Sequence, residues 1–65
     1  MSARILAQAV LEPGAFDGSF IVTVTGKLEG GEPLEDRVYE IGAANQREAA
    51  WTGIDRYLLE MSRLQ

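Results

Sequence analysis

Cysteine and histidine are both absent from this 65-residue chain. Without Cys there can be no disulfide and no thiolate–metal site. Without His there is no imidazole to act as base or metal ligand, which removes Ser–His and Cys–His nucleophile systems. Aromatic residues are few: two Phe, two Tyr and one Trp. They form no pattern that would stack nucleic-acid bases. Positive charge is also scarce, with six Lys and Arg against ten Asp and Glu and a net charge of −4. Phosphate neutralisation needs Lys and Arg in excess, so direct nucleic-acid binding is not expected. Long hydrophobic runs are missing, and no stretch reaches the length that spans a bilayer. Residues Met1 to Ala7 hold one positive charge and a broken apolar run, which does not read as a secretory leader. The default location is cytoplasmic, although absence of Cys fits either compartment, and no membrane partner is expected.

What is present is an ordinary globular balance, 46% hydrophobic and 25% charged. The length suits one domain over residues 1–65. A chain this short buries only roughly 60% of its unfolded surface. With no covalent or metal staple, its stability must come from tight local packing, self-association or a partner.

Two segments read as a β-hairpin over about 19–42. Residues 19–28 are rich in β-branched side chains, with Phe20, Val22, Val24 and Leu28 on one face and Ile21, Thr23, Thr25 and Lys27 on the other. The second strand runs from Leu34 to Gly42. Between them Glu29-Gly30-Gly31-Glu32-Pro33 supplies turn chemistry. A helix is expected over about 46–63. Asn45 stands as N-cap, and Glu48 is placed to reach back. Ala50, Ile54, Tyr57, Leu58, Met61 and Leu64 then make one apolar stripe. Residues 3–12 fit a strand, with Ile5, Ala7, Ala9 and Leu11 alternating, or a helix. The strand is preferred, because a lone hairpin is poorly stable. The expected fold is therefore α+β: a three-stranded antiparallel meander with one C-terminal helix packed on one face.

Four features stand out. Glu29, Glu32, Glu35 and Asp36 crowd into the eight residues 29–36, which hold no positive charge. Their charge equals that of the whole chain, and the remainder balances at six acidic against six basic residues. Such a tip either docks on a basic protein surface or simply keeps the domain in solution. The sheet face away from the helix would show Ile21, Thr23, Thr25, Val38 and Glu40, as a dimer surface or an ordinary half-polar face. Trp51 sits at the rim of the helix stripe, either capping the core edge or binding a partner; Leu59 lies almost opposite the stripe and suits an interface. Gly53 interrupts the helix, either simply tolerated or approached closely by Tyr39 or a partner helix.

No enzymatic activity is expected. Glu35 and Asp36 are adjacent and point to opposite faces of a strand, so they cannot share a proton. A pocket for a small-molecule substrate, on the order of several hundred Å³, is hard to build at this length. No cofactor and no metal are expected, since the acidic residues lack the spacing of a calcium loop. Arg37, Arg47 and Arg56 make no basic cluster at the helix start of the kind that holds RNA phosphates, although the three could share a face.

The span Phe20–Met61 holds a strand, a Gly-Gly-Glu-Pro turn, a strand ending Val38-Tyr39-Glu40-Ile41, and Asn45-x-x-Glu48-Ala49-Ala50 opening a helix. It resembles a pattern in small phage and mobile-element proteins, some of which are anti-CRISPR inhibitors. The resemblance implies a protein that binds another protein, such as a nuclease or its nucleic-acid channel, and implies no site residue. The leading expectation is thus an inhibitor that covers a basic, nucleic-acid-binding protein surface through Glu29, Glu32, Glu35 and Asp36, with Trp51 and Leu59 as further partner-binding residues. The alternative is a homodimeric structural or regulatory protein. A nucleic-acid-binding ββα module is the least favoured.

Overall fold

Alternation and capping chemistry lay the chain out as three strands and a helix. The computed structural model describes residues 4–63. Strand β1 spans Ile5–Pro13, β2 Ser19–Leu28 and β3 Arg37–Gly42; helix α1 spans Gln46–Arg63. The sheet is open and antiparallel, in the order β1-β2-β3. The first residues, 5–12, form a strand and not a helix, because pairing with β2 places Ile5, Ala7, Ala9 and Leu11 under α1. Ala3, the first residue of the expected range, and Leu64, the last of the expected stripe, lie outside the described residues.

Ile5 stands opposite Leu28 and Pro13 opposite Phe20 across β1 and β2. Ser19 faces Gly42 and Val24 faces Arg37 across β2 and β3. Strand β3 starts three residues later than Leu34. The physical reason is a bulge. Lys27 bridges to Pro33, so the three steps from Val24 to Lys27 face the four from Arg37 back to Pro33. Pro33 has no N–H to extend a ladder.

The core is small: Val22, Val24, Ile41, Ala49, Tyr57 and Met61 are buried. Helix α1 meets the sheet along Ala49, Gly53, Tyr57 and Met61. Relative to the expected stripe it is turned by about 50°, taking 100° per residue. Small residues cause this. A Cβ on Gly53 would stand 2.7 Å from Val22 Cγ1, so the helix backbone lies directly on the strand. The close approach at Gly53 is therefore by Val22, not by Tyr39 or a partner helix. Four residues along β2 the relation reverses: a Cβ on Gly26 would lie 2.7 Å from Tyr57 Cε2. Val22 fits over Gly53, and one helical turn later Tyr57 fits over Gly26.

Asn45 Oδ1 accepts the N–H of Glu48 at 2.9 Å and caps the helix. The expected return bond from the Glu48 side chain is not among the hydrogen bonds of the described residues. Among the described residues, no helix is long and apolar enough to cross a membrane.

Candidate functional site

The loop from Glu29 to Asp36 is built as a braced finger. Gly31 N–H donates to the Leu28 carbonyl at 2.9 Å, and Gly30 has φ +69°. Such a turn needs a positive φ at its third residue, which glycine adopts without steric cost. Leu28 N–H donates to the Glu32 carbonyl, and Leu34 N–H to the Gly26 carbonyl at 2.8 Å. Leu34 packs against the core. The bulge leaves the Glu35 carbonyl free of the ladder, and the Tyr57 hydroxyl donates to it at 2.7 Å. The tip is thus tied to the helix through the same Tyr57 that fills the space over Gly26.

All four acidic side chains of the tip are exposed. They are not equivalent. Arg37 Nη1 donates to Glu35 Oε2 at 2.9 Å, and Arg37 Nε donates to Glu60 Oε2 at 3.4 Å. The Glu35 hydrogen bond is the main cause of a raised Arg37 pKa. Glu35 is therefore paired, while Glu29, Glu32 and Asp36 make no ion pair among the described residues. Arg37 is engaged here with two carboxylates.

Two phenols close the inner side of this end. Burial pushes the Tyr57 hydroxyl up, and the Asp36 carboxylate adds to the shift while Arg37 opposes it. Burial also raises Tyr39, with Glu60 reinforcing it. Glu60 lies close enough to be felt, yet the enclosed Tyr39 hydroxyl forms no hydrogen bond of good geometry.

Trp51 is 62% exposed and Leu59 57% exposed. The turned helix carries Trp51 away from the core edge, which overturns the capping reading for it. Both residues flank the solvent pole of α1. Neither is brought to the acidic tip by any hydrogen bond or core contact. The outer sheet face shows Ile21, Thr23, Thr25, Val38 and Glu40 as expected, and β1 adds Leu6, Gln8, Val10 and Glu12. Sequence reasoning also passed over Phe16, 75% exposed in the β1–β2 loop. That loop is tied by local hydrogen bonds: Ser19 Oγ donates to the Phe16 carbonyl and accepts the Phe16 N–H. The signal was there in a lone aromatic between Pro13-Gly14 and Asp17-Gly18.

Two open clefts, of about 310 and 400 Å³, lie beside Phe16 and between Leu6, Thr25, Lys27 and Pro33. Among the described residues, no three acidic side chains come together to hold a metal ion. The class defined by this fold is a three-stranded antiparallel α+β sheet with one covering helix. No family model, curated protein or solved structure matches the chain.

Proposed function

We propose that this chain is a non-enzymatic inhibitor that docks its acidic tip on the basic, nucleic-acid-binding surface of another protein. The observation that carries this reading is the bracing of the tip. Glu29, Glu32 and Asp36 stand exposed, with no ion pair among the described residues, on a loop whose backbone is held by Tyr57 and Gly26. A loop already ordered loses little entropy on binding, and concentrated like charge steers encounter with an opposite surface. The scaffold supports the same reading, since it is neutral outside residues 29–36. An effector of the kind that anti-CRISPR inhibitors block is one partner of this chemistry, and the proposed place of action is the cytoplasm.

The test is displacement of labelled DNA from nucleic-acid-binding effectors by the full chain. Displacement should weaken with rising salt and be lost with Glu32→Lys. Glu35→Lys is less informative, because it also places a cation beside Arg37. Displacement that resists salt and survives Glu32→Lys would overturn the mechanism.

A further inference from the structure

Strand β1 ends the sheet, with nothing paired on its outer side among the described residues. Its backbone phase follows from two bonds. The Arg4 carbonyl accepts the Glu29 N–H at 2.8 Å, and Gly14 N–H donates to the Ser19 carbonyl at 3.0 Å. Both residues are even-numbered, so even positions face β2. The N–H and C=O groups of Ile5, Ala7, Ala9 and Leu11 therefore face outward. Edge strands are usually blunted by charge or proline. β1 has neither between Ile5 and Leu11, whereas the other edge, β3, carries Arg37 and Glu40.

The sequence of this open edge mirrors itself. About Gln8, Ala7 reflects onto Ala9, Leu6 onto Val10, Ile5 onto Leu11, and Arg4 onto Glu12. We propose that two copies of this chain pair antiparallel through β1, on a two-fold axis at Gln8, as one six-stranded sheet. In that register Ile5 with Leu11 and Ala7 with Ala9 exchange main-chain hydrogen bonds on the helix side. Arg4 with Glu12, Leu6 with Val10, and Gln8 with Gln8 fall at the non-hydrogen-bonded positions. There opposed Cα atoms approach to about 4.5 Å and side chains interact most.

Each match except the Gln8 pair on the axis is made twice, as a two-fold interface requires. Arg4 and Glu12 are both exposed in the single chain. Leu6, 40% exposed, and Val10, 55% exposed, gain apolar neighbours. Sliding the register by two residues one way sets Leu6 against Glu12, and the other way sets Arg4 against Val10. Both lose the ion pairs, so one register is selected. The chain is elongated, 41 × 17 × 15 Å, and its core is small. The dimer closes, because each copy uses its one unprotected edge. It places both helices on one face and the two acidic tips at opposite ends. The pairing does not depend on the acidic-tip reading, and either can fail alone.

The experiment is sedimentation equilibrium of the full chain across a concentration series, with circular dichroism to confirm the fold. The wild-type mass should rise from one chain to two and stop there. Glu12→Arg sets cation against cation, and Arg4→Glu sets anion against anion. Each should weaken the dimer by about tenfold or more. A mixture of these two variants restores every ion pair and should form the heterodimer. Gln8→Lys, at the axis and exposed, should also dissociate the dimer. A strictly monomeric wild type, open-ended growth, or a dimer indifferent to these charges with no preference for the mixed pair would each overturn the proposal.

Discussion

Val22 and Tyr57 each occupy space that a side chain would fill at a glycine opposite. Ala at position 53 would gain about 1 kcal/mol of helix propensity in isolation. Here its Cβ would meet the β-branched, fully buried Val22, which has nowhere to swing. Overpacking of this kind typically costs about 1–3 kcal/mol. Gly53→Ala should therefore lower the denaturant midpoint, and Val22→Ala in the same chain should remove the clash, although not the cost of the lost Val22 methyl groups. A non-additive double-mutant cycle checks this. The two tyrosines differ in the same instructive way. Tyr57→Phe removes the bond to the Glu35 carbonyl and should cost about 1 kcal/mol and loosen the tip. Tyr39→Phe removes a buried hydroxyl that makes no well-formed hydrogen bond among the described residues, so stability at neutral pH should hold or rise. Both phenols are raised above their ordinary value of 10.0 in the fold. The unfolded chain then ionises first, so stability is full below pH 10 and falls as pH rises through the folded values. Urea midpoints should decline above pH 10, and less steeply for Tyr39→Phe.

At the scale of elements, local chemistry dictates most of the layout. Asn45 holds the Glu48 N–H, and Asn45→Ala should cost about 1 kcal/mol, read as a drop in melting temperature. Strand β2 and the helix were legible because alternation and helical periodicity are strong in Phe20–Leu28 and Gln46–Arg63. The start of β3 was not, because Leu34 looks like a strand residue until the bulge opposite Lys27 is known. The rotation of α1 was hidden for a related reason. Hydrophobicity weights Ile54 and Leu58 above Ala49 and Gly53, while close packing weights the small residues that let backbones touch. The acidic tip was legible as a cluster of charge, but its division was not. Only the fold brings Arg37 back to Glu35 and Glu60, two and 23 residues away in sequence. Phe16 was missed because a single aromatic in a turn has no periodicity to mark it.

The whole molecule is elongated, with its charge at one end and an open edge along one side. Its small core explains why single contacts matter: Tyr57 fills the core, anchors the tip and spaces the helix at once. In a larger domain those roles would fall to different residues. The charge argument belongs to this scale too. A net charge of −4 spread evenly would favour solubility and little else. Concentrated on Glu29, Glu32, Glu35 and Asp36, on a braced loop, it forms the surface proposed to select a basic partner. The most direct measurement is an NMR titration of the isotope-labelled full chain with a short lysine- and arginine-rich peptide. The expected result is amide shifts concentrated at residues 29–36, weakened by salt and abolished by Glu32→Lys. Shifts centred instead on Glu12 and Glu40, or none in the tip, would contradict the account.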